Sequence, residues 1–327
     1  MSAPLVTIFG GSGFVGRYIA QRMARVGWRV RVAVRRPNEA LFVKPYGAVG
    51  QVEPVQANIR DDASTVAAIA GADVVVNCVG ILHETMHQGF DAVQTEGAAR
   101  IARLSAAAGV ERFVHMSAIG SDAQSDSQYS RTKAEGEAAV LAFFPDAAIL
   151  RSSIIFGPED AFFNRFASMA RFMPVIPIAG ANTMFQPVYV DDVAAAVEHA
   201  IVQAVPGTFE LGGPETATLR ELLEKMLKVV RRRRVIVNMP GPIARIVASL
   251  LDFGQFGTMG LIENSVMTRD QVKLLAHDNV VSDGAKGLPD LGVTPTTMDA
   301  ILESYLYCHR PYGQYTALTE SAKNLRS

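Results

Sequence analysis

Cysteine is nearly absent: Cys78 and Cys308 are the only two in 327 residues, and they lie far apart in the chain. They supply neither a disulfide framework nor a cysteine-rich metal cluster, and such usage suits a reducing compartment. Net charge is nearly absent as well, with 31 Lys and Arg against 32 Asp and Glu. That balance removes any global pull toward nucleic acid. No basic-apolar-small pattern opens the chain; the apolar run LVTIF passes straight into a glycine loop, so no removable signal is expected. Apolar runs of membrane-spanning length are missing too. The most lipid-like stretch, residues 242–262, is interrupted by Arg245, Asp252 and three glycines. It argues against a spanning helix and leaves a segment lying on a membrane surface or in an interface. There is neither an internal repeat nor a low-complexity tract.

What is present is a globular composition, 49% apolar, on a chain long enough for a sizeable core and two domains. The first half alternates β-branched runs with segments of helical spacing. LVTIF, WRVRVAV, VEPVQA, ADVVVNCVG, RFVHMSA and AAILRSS read as strands. GRYIAQRMARVG, DDASTVAAIAG, FDAVQTEGAARIARLSAAAG and KAEGEAAVLAFF read as helices between them. That alternation predicts an α/β fold, a Rossmann-type doubly wound parallel sheet covered on both faces. Gly27, Gly71 and Gly109 stand where helix C-caps are needed. Beyond Arg151 prolines and glycines become frequent. VYVDDVAAAVEHAIV reads as a strand end entering a helix capped by an aspartate, and Thr218 with Glu221 has capping-box spacing. We expect a cofactor domain over 1–155, its sheet completed by 185–203, and a smaller interleaved α/β lid over 156–327. The polar tail from His309 is expected to be a mobile or partner-binding extension.

Gly10, Gly13 and Gly16 follow the first strand and open the first helix. Glycine there permits a tight turn and lets backbone amides approach a pyrophosphate at the positive helix end. Ser12, Phe14 and Val15 complete that loop. The second strand ends in Arg35 and Arg36, where an NAD-preferring site would carry a carboxylate for the ribose 2′-hydroxyl. Two guanidinium groups favour a 2′-phosphate, each charged hydrogen bond being worth ~1.5–3 kcal/mol, so NADPH/NADP+ is expected over NAD(H). Asn58, Ile59 and Asp61 could border the adenine. Val79 and Gly80 could pass close to the sugar and phosphate.

HETMH, residues 83–87, has the spacing of a zinc-hydrolase helix with Glu84 as base. Its place directly after the fourth strand, with Gly89 close behind, favours a loop over the nicotinamide, and no metal is expected. The run Arg231 to Arg234 reads as a solvated strand entrance. Beside the apolar stretch after it, residues 231–262 also suit an anionic membrane surface or an acidic partner. No aromatic interleaving supports nucleic acid.

Ser117, Tyr129 and Lys133 form a candidate catalytic set, with Tyr129 and Lys133 on one helix face. Lys133 would anchor the cofactor ribose. A tyrosinate at neutral pH needs the phenol moved from about 10 to near 7, ~4 kcal/mol of differential stabilisation. Lysine and a cationic nicotinamide could supply that only in a partly dry site. The plainer alternatives are a ribose-binding lysine without catalysis and a packing tyrosine. The motif's composition does not separate them.

The glycine loop, VRRP, NCVG and YxxxK together resemble the extended and atypical short-chain dehydrogenase/reductases. In the second half IFGPEDAFFNRFASMARFMPVIPI, FQPVYVDDVA, MTRDQVKLL and LPDLGVTPTTMDAILESYLYCHRPY are similar to one branch, the NAD(P)H-binding accessory subunits of respiratory complex I. That resemblance runs from residue 5 to about 312. It implies a tightly held NADPH with contacts at Gly10, Gly13, Phe14, Val15, Gly16, Arg35, Arg36, Gly80 and Lys133. It further implies partners among complex I subunits near the quinone site, and a structural role without turnover of its own. The expected location is peripheral, on the cytoplasmic side of a bacterial inner membrane, or on the matrix side for a mature mitochondrial form. Two alternatives stand beside it. One is an active reductase, epimerase or dehydratase in which Ser117 polarises, Tyr129 exchanges the proton and Lys133 anchors the ribose. The other is a regulatory protein sensing NADPH through its partner affinity.

Overall fold

The computed structural model describes residues 3–85, 88–257 and 268–315. Strand β1 (Leu5–Phe9) is buried along its whole length, as a strand covered on both faces must be. After it come α1 (Phe14–Arg25), β2 (Arg29–Val34), a 3-10 segment (Pro37–Tyr46), β3 (Val52–Gln56), α2 (Asp62–Ile69) and β4 (Val74–Asn77). A single π turn (Asp91–Thr95) then leads into α3 (Glu96–Ala107), followed by β5 (Arg112–Ala118), α4 (Gln128–Phe143) and β6 (Ala148–Ser152).

The chain continues through β7 (Ile155–Phe156), α5 (Phe163–Phe172), β8 (Val175–Ile178), β9 (Met184–Phe185), β10 (Val188–Tyr189) and α6 (Val190–Val202). Then follow β11 (Gly207–Leu211), β12 (Ala217–Thr218), α7 (Leu219–Val229), β13 (Val235–Asn238), α8 (Gly241–Gly257), α9 (Arg269–Leu274) and α10 (Met298–Leu306).

The central sheet is parallel, in the order β11-β6-β5-β4-β1-β2-β3. From β1 the chain moves outward to β2 and β3, then returns to place β4 on the other side of β1. This reversal opens a crevice at the carboxyl ends of β1 and β4, the place where such sheets bind ligands. One face is packed by Ile19 and Met23 of α1 with Val193 and Val197 of α6, over Val6, Val32, Val76 and Val114. The other is packed by Ile69, Ile101, Ala102 and Val140, from α2, α3 and α4, over Phe9, Val75, Phe113 and Ile149. Each fully buried aliphatic or aromatic side chain contributes ~1.5–3 kcal/mol. Gly27, Gly71 and Gly109 do take the left-handed conformation at helix ends, with φ of +89°, +70° and +73°.

Two expectations shift. The segment 185–203 supplies short strands and α6, and the sheet's seventh strand is the later β11, paired with β6. The helix after VYV is not capped by an aspartate. Tyr189 is its N-cap without a side-chain bond, and the aspartates serve elsewhere. Asp191 pairs with Arg22 at 2.7 Å, and Asp192 accepts from the Thr296 amide at 2.6 Å.

A second core joins Phe156, Phe163, Ala167, Ile176, Leu222, Leu223, Met226 and Leu302, from β7, α5, β8, α7 and α10. The Thr218 and Glu221 capping box forms as the spacing predicts. Alternate residues of the arginine run turn inward: Arg232 Nε donates to the His309 carbonyl and Arg234 Nε to that of Ala170, so the run clasps the second core. Helix α8 buries Ala244 and Ala248. Among the described residues no helix is long and apolar enough to cross a membrane. The apolar stretch beyond residue 257 and the tail beyond 315 lie outside the described residues.

Candidate functional site

The glycine loop closes tightly on itself. Gly10 has φ +75°, a conformation only glycine adopts freely, and its carbonyl accepts from the Gly13 amide at 2.9 Å. A Cβ on Gly16 would lie 2.4 Å from the Gly10 carbonyl oxygen, so glycine is what lets α1 sit against the loop. Helix geometry leaves the first-turn amides at Phe14 and Val15 without intrahelical partners, and no side chain caps this end. The positive end of α1 therefore faces the crevice ready for an anion. Arg17 braces the loop from outside, donating to the carbonyls of Ser12 and Gly13 at 3.1 and 3.3 Å and stacking on Phe42.

Across the crevice, a Cβ on Gly10 would meet the Cys78 backbone at 3.3 Å and Val79 Cγ2 at 3.4 Å. Gly80 lies beside Lys133, where an added Cβ would stand 3.2 Å from Nζ. Thus Gly10, Cys78, Val79, Gly80 and Lys133 are brought together at the switch point. Arg35 and Arg36 are exposed just past the end of β2, with Arg36 paired to Glu39 at 3.0 Å. Asn58, Ile59 and Asp61 shape the turn into α2. Asn58 Oδ1 accepts from the Arg60 amide, Asp61 is the N-cap of α2, and Ile59 packs against Gly97.

Lys133 is 7% exposed and donates to the Met116 carbonyl at 3.2 Å. Burial pushes its ammonium down to about 8, against the opposing pull of Glu137 and Cys78. The same burial pushes the Cys78 thiol up to about 12 and, helped by the Lys133 charge, holds His115 down at about 3. Tyr129 packs edge-on to Phe90, with ring centroids 5.8 Å apart, and burial pushes its phenol up to about 12. A phenol so placed stays protonated at neutral pH: it can donate a hydrogen bond, but it is a weaker acid than an ordinary tyrosine and leaves almost no tyrosinate to act as a base.

Ser117 is engaged elsewhere. Phe113, His115 and Ser117 share one face of β5, and the Ser117 hydroxyl donates to Glu137 Oε1 at 2.5 Å. Glu137 also holds Arg151 in a two-pronged ion pair at 2.6 Å. The structure therefore brings Ser117 to the Glu137–Arg151 pair. Among the described residues no hydrogen bond joins Ser117 or Lys133 to the Tyr129 hydroxyl.

Residues 82–85 and 88–89 are not helical, an isolated bridge joins Thr85 to Gln88, and Met86 and His87 lie outside the described residues. Glu84 Oε1 accepts from the Phe90 amide at 2.8 Å at the entrance of the π turn. Two site residues had no sequence signal. Buried Gln94 in that turn ties the Ile81 carbonyl to Thr132 of α4. Asp270 reaches α4 from α9, and its partners lie more than 140 positions away.

Residues 6–212 match the NAD dependent epimerase/dehydratase family, and the chain belongs to it. The crevice is that of a nicotinamide dinucleotide, and its close-packed glycines and uncapped helix end fit one. Within this class the chain is similar to the mitochondrial NADH dehydrogenase (ubiquinone) 1 alpha subcomplex subunit 9 of Arabidopsis thaliana. The two are 34% identical over 330 residues, 99% of this chain and 82% of that one. It is also 29% identical to the ceramide reductase of Caulobacter vibrioides, over 76% of this chain and 77% of that enzyme. In fold it resembles the NADPH-dependent quinone oxidoreductase of Escherichia coli in complex with NADPH. The TM-score is 0.70 at 18% identity, over 92% of this chain and 98% of that one.

Proposed function

We propose that the chain is an NADPH-holding accessory subunit of respiratory complex I, docked on the membrane-facing side of the hydrophilic arm near the quinone site, with a structural role. The carrying observation is the match to subunit 9, which spans 99% of the chain, second core included. The site supports the same reading. Gly10, Ser12, Gly13, Phe14, Val15 and Gly16 would receive the pyrophosphate, Arg35 and Arg36 the 2′-phosphate, and Lys133 the ribose near Gly80. Asn58, Ile59 and Val79 would border the rest. Once bound, NADPH supplies hydride chemistry; this chain's side chains contribute a neutral phenol at Tyr129 and a Ser117 hydroxyl committed to Glu137. They bind and orient rather than assemble a proton relay.

Purification of complex I from gently solubilised membranes of the source organism tests this. We expect the chain in stoichiometric amount, and its absence from the intact complex would sink the subunit reading. The enzyme alternative has its own readout. Purified chain with NADPH and candidate carbonyl or nucleotide-sugar substrates should show no loss of nicotinamide absorbance beyond that of Tyr129→Phe. A turnover abolished by that substitution would overturn the structural role.

A further inference from the structure

Helix α4 opens with four amides that its own turns cannot satisfy. Its local sequence covers two. Ser127, the N-cap, donates its own amide to Ser125 Oγ at 3.2 Å and accepts from the Ser130 amide through its Oγ at 3.3 Å. The first turn of α4 carries no acid. The remaining two amides are met from the far end of the chain. Asp270, in the first turn of α9, accepts from Gln128 N through Oδ1 at 2.8 Å and from Tyr129 N through Oδ2 at 3.1 Å. The Ser127 hydroxyl also donates to that Oδ2, at 2.7 Å. A carboxylate at this end further offsets the helix dipole.

Helix α9 is itself held by a Thr268–Gln271 capping box, and it grips the neighbouring loops. Lys273 Nζ donates to the Asp126 carbonyl at 2.8 Å, and Gln271 Nε2 reaches that of Leu82 at 3.4 Å. Those loops follow β5 and β4, the two strands that flank Lys133 in the crevice. The adenine side, with the glycine loop and Arg35–Arg36, is built on β1 and β2, and α9 makes no hydrogen bond there among the described residues.

We propose that Asp270 is a positioning residue for the nicotinamide half of the dinucleotide site. Helix α9 is a strap that holds the first turn of α4, and with it Tyr129 and Lys133, against the crevice. The assignment rests on the reading that this crevice holds NADPH. It makes the two halves of the ligand respond differently to one substitution.

The experiment uses the full chain, unaltered and as Asp270→Ala and Asp270→Asn. Binding of NADPH and of adenosine 2′,5′-bisphosphate, which lacks the nicotinamide half, is measured by calorimetry. Hydrogen exchange is followed at the α4 amides. Loss of a helix cap of this kind predicts NADPH binding about tenfold weaker in Asp270→Ala. Bisphosphate affinity should stay within about twofold, and exchange at Gln128 and Tyr129 should accelerate. Asp270→Asn keeps one carbonyl acceptor and should fall between. Equal weakening of both ligands marks general loss of structure and overturns the positioning role, as does unchanged NADPH affinity. If the unaltered chain binds neither ligand, the NADPH reading itself fails and the positioning role falls with it.

Discussion

At Lys133 burial and charge pull in opposite directions. Its ammonium is pushed down to about 8, so between that pH and the ordinary lysine value the unfolded chain carries a proton the folded chain has released. Stability attributable to Lys133 therefore rises with pH across that window, while the positive charge offered to the cofactor falls. NADPH affinity should decline as pH passes about 8, and Lys133→Met should bind more weakly and lose that decline; titrations at pH 7 and 9 check it. His115 acts on the acid side. Held at about 3, it stays neutral while the unfolded imidazole protonates near its ordinary value. Stability should fall as pH drops from about 6.5 toward 3, less steeply in His115→Gln, as melting temperatures will report. Arg35 and Arg36 are exposed, and the Arg36–Glu39 pair is a surface one that a phosphate can displace. Replacing both with alanine should weaken NADPH binding by about a hundredfold and NADH binding far less, at ~1.5–3 kcal/mol for each charged hydrogen bond; equal losses would refute a 2′-phosphate site. The sequence identifies Ser117 as the end of a strand but not its direction. The pleat turns it toward α4, where Glu137 takes its hydroxyl, and only the arrival of Arg151 from β6 explains why Glu137 is there.

Among the elements, those built from local pattern were legible. The apolar runs that became β1 to β6 took their places in one sheet, β1 and β4 buried throughout and β3 at its edge, and the capping box of α7 needs only residues three apart. Thr218→Ala should cost about 1 kcal/mol and lower the melting temperature without changing cofactor affinity. Gly16→Ala tests a different kind of element. A methyl 2.4 Å from the Gly10 carbonyl and 2.6 Å from the Gly11 Cα must push α1 off its loop, both neighbours being backbone. Cofactor retention should be lost while the far-UV spectrum stays helical. What could not be read is non-local. Helix α5, set in a proline- and glycine-rich stretch, acquires its apolar face from α7 and α10. The cap of α4 comes from Asp270, so no window of the sequence around Tyr129 contains it. No aspartate caps α6 for the same reason, because Arg22 and Thr296 claim Asp191 and Asp192 from distant segments.

At the scale of the molecule, the sheet and the second core are threaded through each other. The chain leaves β6, builds α5 and the short strand pairs, lays α6 on the sheet, and only then adds β11. This order bears on synthesis. While the ribosome has made only the first 155 residues or so, β6 is a bare sheet edge whose AILRS sequence is mostly apolar. Such an edge invites pairing with another nascent chain. It stays open for more than fifty further residues, until Gly207–Leu211 emerges and pairs along it. The strand that closes the sheet thus also ends the interval in which the newborn chain most needs a chaperone.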